Sequence, residues 1–247
     1  MWKITGKWVA LGMLLLAISP VMGQSRQASA VSYRERGDQW QKKGEYRRAI
    51  EDYSMAVMFD PGNADIFNNR GVARYRLGEW TPAVEDFQRA IALQPERAEF
   101  YYNRGLAWKI GAEYERAVED FSRALEFRPD WEDAYNNRGN SLLKLGQSDR
   151  AMKDFDRALA LNPRLAPAYN NRGNSRMAAR NFTEAIKDYN QAITLDRSYA
   201  TAYLNRGIAR QKLGDLSGAA RDFEKCGQLS PELKPLAENR RQRINEN

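Results

Sequence analysis

A chain of 247 residues with no histidine and one cysteine lacks the side chains for the usual zinc sites, for a Cys-His nucleophile pair and for an internal disulfide framework. Its formal charge is +7, or +5 once Lys3 and Lys7 of an apolar N-terminal segment are set aside. The charges are interspersed and form no basic run, which reads as a solvated surface before an acidic-partner or membrane-binding one. Catalysis would have to rest on carboxylates, Lys, Ser or Tyr, and no motif calls for a cofactor or a metal.

Residues 1–23 combine two lysines, an apolar run from Trp8 to Ile18, and Ser19-Pro20 before Val21-Met22-Gly23. That order fits the zones of a secretory signal, and the run is short for a membrane span. A cleaved signal or an uncleaved anchor both satisfy it, with residues 24–29 as a linker. Either reading puts the protein on the exported side of a membrane.

From Ala30 the chain repeats itself every 34 residues, opening at Ala30, Ala64, Ala98, Glu132, Ala166 and Ala200. Such a period overrides the domain count that length suggests and indicates stacked units, here 30–63, 64–97, 98–131, 132–165, 166–199 and 200–233. Position 4 of each repeat is aromatic and position 8 is Gly. Position 20 is Ala, position 24 is Tyr or Phe, and position 27 is Ala except at Cys226. Position 32 is Pro except at Arg197, and position 15 is Gly at Gly44, Gly78, Gly146 and Gly214.

Positions 4, 8 and 11 share one face of a first helix, and 20, 24 and 27 one face of a second. The small residues let the two helices approach, the aromatics fill the space beside them, and Gly at 15 and Pro at 32 end the helices. The third and fifth repeats carry Gly111 one place early and Arg180 respectively, so altered turns are expected there. Segment 232–247 has Leu233, Leu236, Ala237 and Ile244 at helical spacing. It reads as a capping helix whose polar face is supplied by Arg240, Arg241 and Arg243.

This pattern, in register over six units, resembles the tetratricopeptide repeat family across residues 30–231. The resemblance implies an all-α, right-handed solenoid of six antiparallel helix pairs that binds protein or peptide on its concave face. Arrays with the Asn-Arg-Gly signature are similar to bacterial and cyanobacterial members that assist assembly of envelope or photosynthetic complexes, which implies a periplasm or thylakoid lumen.

Arg at position 7 (Arg36, Arg70, Arg104, Arg138, Arg172, Arg206) matches Asp at position 23 (Asp52, Asp86, Asp120, Asp154, Asp188, Asp222) in every unit. Position 7 flanks the core stripe, and a partly buried Arg needs a carboxylate. Structural ion pairs are therefore expected, within a repeat or between neighbours.

Asn at position 6 (Asn69, Asn103, Asn137, Asn171, Asn205) falls opposite the core stripe on the same wheel. An amide offers both donor and acceptor, so one reading is a peptide-binding ladder that grips main chain. Solenoids such as that of the enzyme that transfers N-acetylglucosamine to Ser and Thr carry a similar ladder. The alternatives are shared descent of the repeats or a local bond from Asn to a helix terminus. Beside the ladder Val72, Leu106 and Ile110 make an apolar patch expected to be exposed, which suits a peptide with an apolar anchor.

A subset of the family clamps acidic chaperone tails. Here Arg34 stands at position 5 of the first repeat, but Asp38 at position 9 and Glu99 at position 2 of the third break that clamp. Cys226 reads as a buried, inert thiol. The leading expectation is thus a non-catalytic scaffold for a protein or peptide partner. The alternative is a helical-repeat binder of single-stranded RNA, against which stand the export signal and the scarcity of stacking aromatics on the ladder face. No catalytic constellation is found, and no nucleic acid is expected.

Overall fold

The computed structural model describes the backbone of residues 8–245 and the side chains of residues 23–244. Residues 1–7 of the expected signal and 246–247 of the expected cap lie outside the described residues. Thirteen α-helices and no strand are present among the described residues, so the fold is all-α, of the helical-repeat solenoid class. The chain divides into two compact parts, Met1–Gly111 and Ala112–Asn247.

The first part holds α1 (Trp8–Lys42), α2 (Tyr46–Phe59), α3 (Ala64–Arg76), α4 (Trp80–Leu93) and α5 (Ala98–Ile110). Residues 24–29, expected as a linker, are helical and belong to α1. No described helix is long and apolar enough to cross a membrane.

The second part holds α6 (Tyr114–Phe127), α7 (Glu132–Lys144), α8 (Ser148–Leu161), α9 (Ala166–Ala178), α10 (Phe182–Leu195), α11 (Ala200–Lys212), α12 (Leu216–Leu229) and α13 (Lys234–Asn245). Within each part a helix packs on the next in sequence, so odd-numbered helices are first helices of a repeat and even-numbered ones second helices.

The packing explains why position 8 is Gly. A Cβ built on Gly71 would stand 2.7 Å from the Phe87 ring, and one on Gly173 2.6 Å from the Tyr189 ring. Gly139 with Phe155 and Gly207 with Phe223 repeat that relation. The position-24 rings are fully enclosed, and burying one such side chain contributes about 1.5–3 kcal/mol.

Each first helix ends on a residue in the left-handed region. Gly44, Gly78, Gly146 and Gly214 hold φ between 75° and 83°. The turns expected to differ do not. Ala112 and Arg180 take the left-handed conformation at φ 58° and 61°, and the Arg180 N–H bonds back to the Met177 carbonyl as the Gly146 N–H does to Leu143, closing the turn whatever the side chain.

Candidate functional site

The polar residues that recur in each repeat gather along the first helices, and charge is the simplest place to begin. All six Asp residues at position 23 are buried, exposed by 2–6%. Arg70 meets Asp86 at 2.7 Å, Arg138 meets Asp154 at 2.7 Å, Arg172 meets Asp188 at 2.7 Å and Arg206 meets Asp222 at 2.6 Å. Arg36 pairs with Asp52 in the same two-pronged way. Arg104 lies over the Tyr101 ring at 5.8 Å in the first part of the chain, and Asp120 is buried in the second.

These pairs form within a repeat, and the same guanidiniums also reach back to the preceding one. Arg70 Nη1 donates to Ser54 Oγ, Arg138 Nη1 to Ser122 Oγ, Arg172 Nη1 to Asp156 Oδ1 and Arg206 Nη1 to Asn190 Oδ1. Each arginine lies over its position-4 ring as well, as Arg138 does over Tyr135 at 5.4 Å. Burial works to lower the Arg138 pKa, and the hydrogen bond and charge of Asp154 outweigh it, holding the guanidinium above its ordinary value.

Three repeats add a second arginine, at position 11, that sequence reasoning did not single out. Arg74 joins Asp86 at 3.0 Å, Arg176 joins Asp188 at 2.8 Å and Arg210 joins Asp222 at 2.8 Å. Its signal was present in the sequence, since position 11 faces the second helix and an arginine there needs a carboxylate.

The asparagines depart from expectation. Those at position 6 are half-buried rather than free, and Asn69, Asn103, Asn171 and Asn205 hydrogen-bond to the repeat before them. Asn103 Nδ2 donates to Asn68 Oδ1 at 2.9 Å, Asn171 Nδ2 to Asn136 Oδ1 at 3.0 Å, and Asn205 Nδ2 to Asn170 Oδ1 at 3.0 Å. Asn69 Nδ2 donates to Asp38 Oδ1 at 3.1 Å, and Asn137 Nδ2 to the Asp133 carbonyl of its own helix at 2.9 Å.

The helical wheel placed these residues opposite the core because it sees one packed face. A first helix in a stack has a second, against the next first helix, and the asparagines stand there. Their position-5 partners Asn136 and Asn170 are buried, at 8% and 3% exposure.

The amides run into continuous chains. In the first part Asn103 donates to Asn68, Asn68 to Asn69, Asn69 to Asp38, and the Tyr53 hydroxyl also donates to Asp38, at 2.6 Å. In the second part Asn205 donates to Asn170, Asn170 to Asn171 and Asn171 to Asn136. Burial first, and then the bond to Asp38, pushes the Tyr53 phenol well above its ordinary pKa.

The expected apolar patch is also corrected. Val72 packs against the buried cluster of Ala83, Val84, Phe87 and Ala107, together with Trp80 and Trp108. Leu106 is half-buried, and Ile110 alone of the three is strongly exposed, at 48%. At position 9, Val72 packs with Phe87 of the following helix, and Asn174 accepts a hydrogen bond from the Tyr189 hydroxyl. Arg34 lies on the same helix as Asp38, and its Nε is buried with no hydrogen-bond partner among the described residues. Cys226 is buried, and burial raises its thiol pKa.

Stacked helix pairs, joined by a side-chain network that passes from repeat to repeat, define a helical-repeat scaffold for protein interaction. The chain belongs to the tetratricopeptide repeat family: family models described as TPR repeat match residues 113–146 and 173–214, and models described as tetratricopeptide repeat match 132–165 and 39–101. The family is typically a non-catalytic scaffold.

A comparison with curated proteins finds no match. Among solved structures the chain is similar to MamA, with 25% identity over 66% of this chain and 96% of that one and a TM-score of 0.61. It is similar to pilF of Pseudomonas aeruginosa, with 19% identity over 90% and 99% and a TM-score of 0.73. YrrB, described as a TPR protein with an unusual peptide-binding site, gives 22% identity over 76% and 97% and a TM-score of 0.57. The last two likenesses bear on the fold alone.

Proposed function

We propose that this protein holds an extended segment of a partner protein along the inner face of its first helices, gripping main chain through the asparagine amides. The observation that carries the reading is the pair of amide chains. An asparagine side chain has two N–H donors and a carbonyl with two lone pairs, and the bond to the preceding repeat uses one N–H. Asn103 and Asn205 stand at the ends of their chains, with their carbonyls pre-aimed by that bond, so a ligand meets amides whose ordering cost has been met by the fold.

Peptides selected from a random library on the full chain test this without disturbing the stack. Binding that survives scrambling of side chains but is lost when the peptide backbone is N-methylated supports main-chain recognition. Binding indifferent to N-methylation would remove the amides from the mechanism. Export, proposed from residues 1–23, is tested by N-terminal sequencing of the protein recovered from cells. A role in assembling an envelope or photosynthetic complex remains our reading from family likeness, and the partner's identity is what that selection would begin to supply.

A further inference from the structure

Four bases gather where α1 turns into α2. In sequence Lys42 and Lys43 are parted from Arg47 and Arg48 by Gly44, Glu45 and Tyr46. The turn sets the first two at the end of one helix and the last two in the first turn of the next, and all four are exposed. A base at a helix C-terminus suits the helix dipole, whereas Arg47 and Arg48 oppose it at the N-terminus of α2, which has no acid in its first turn. At the same place α6, α8 and α10 carry Glu115, Asp149 and Glu184. Helix stability therefore gives no reason for the two arginines.

Two of the four are held in place. Lys43 Nζ lies 4.9 Å from the centre of the Trp40 ring, and the Arg48 guanidinium 4.8 Å from it. Trp40 is itself fixed, packed against the buried cluster of Ala49, Tyr53 and Ala56. Other guanidiniums that lie over rings also pair with a carboxylate: Arg70 over Phe67 with Asp86, Arg97 over Phe100 with Asp65, and Arg138 over Tyr135 with Asp154. Lys43 and Arg48 make no ion pair among the described residues, and neither do Lys42 and Arg47, although Glu45 and Glu51 are close in sequence. A ring holds a cation without neutralising it. The N–H groups of both thus stay open to an anion, whose binding does not have to order them.

We propose that the turn between α1 and α2 docks an acidic segment of a partner protein, whose carboxylates are taken by Lys43 and Arg48 while Lys42 and Arg47 steer its approach. The proposal is independent of the inner-face reading. Charge complementarity selects the occupant. Trp40 is half-buried and already carries two cations, so the site offers charge rather than a free ring on which a base could stack. Helix α1 runs unbroken from Trp8 to Lys42, which sets the turn about 36 Å along it from Ile18, out of reach of a membrane that held the apolar run.

The probe is a fluorescein-labelled peptide of five Gly-Glu pairs, with the corresponding Gly-Gln peptide as its uncharged counterpart. Anisotropy with the full chain at low ionic strength is expected to show the Glu peptide binding about tenfold tighter, an advantage that added salt erodes. Lys43→Gln with Arg48→Gln is expected to remove that advantage. Lys153→Gln with Arg157→Gln, an equal loss of charge on exposed residues of α8, is expected to keep it. No effect of the first pair would overturn the proposal, and so would equal weakening by both, since net charge alone would then account for binding. Should the first pair not fold, Lys43→Gln alone is expected to weaken the Glu peptide about threefold, and unchanged binding refutes the site. Tighter binding of a deoxythymidine decamer, or of phosphatidylglycerol vesicles, that is lost with Lys43 and Arg48 would give the site to nucleic acid or to lipid, and so overturn the assignment to an acidic protein.

Discussion

The side-chain amide of Asn171 donates to the carbonyl oxygen of Asn136 across 3.0 Å, from one repeat to the one before it. That bond makes a polar residue repeated in five units a staple of the stack. It also explains why an amide, and not Lys, Glu or Ser, recurs there: one side chain must donate to its predecessor and accept from its neighbour.

Asn171→Ala is expected to lower stability by about 1–2 kcal/mol, since it leaves the buried Asn136 carbonyl without its donor. Asn136→Ala should cost a similar amount, and the double variant less than the sum. A coupling near 1 kcal/mol in a double-mutant cycle of urea unfolding would establish the bond; additive losses would show that the amides merely adjoin.

Arg138 connects three elements at once, through Asp154, Ser122 and the Tyr135 ring. Replacing it by Met strands the buried Asp154 carboxylate, with an expected loss of about 3 kcal/mol. Replacing Arg138 and Asp154 together by Met and Leu is expected to recover most of that loss, because the penalty comes from the uncompensated charge. Thermal melts of the two variants read out both outcomes.

Arg180 holds φ 61° at a site where four other repeats have Gly. A side chain in the left-handed region costs about 1–2 kcal/mol, so Arg180→Gly is expected to raise the unfolding midpoint even though it removes a side chain. The reciprocal change, Gly146→Ala, should lower it.

Burial lowers the Lys109 pKa from 10.5 to about 8. The folded state then gives up its proton before the unfolded state does, so the group opposes folding below pH 8, and this penalty is relieved as pH rises from about 8 towards 10.5. Lys109→Met is expected to raise the melting temperature at pH 7, by a margin that shrinks as pH rises through that window. A margin that does not change with pH would mean that the gain comes from packing.

Period, helix order and the partnership of small with aromatic residues were legible in the sequence, because a packed interface repeated six times writes the same side chains at the same positions. Gly173 must lack a Cβ wherever Tyr189 lies over it, and no solution exposure can relax that requirement. Tertiary structure alone decided what the flanks of the first helices touch. A helical wheel records angles around one axis, whereas Asn171 is fixed by the helix of the preceding repeat and Val72 by a ring on the helix that follows. The sequence likewise presents Arg240 as one more solvated base of a cap. Its buried Nε, without a hydrogen-bond partner among the described residues, appears only when α13 is laid in register on α12, because whether a charge has a partner depends on distances between elements that no single-helix pattern contains.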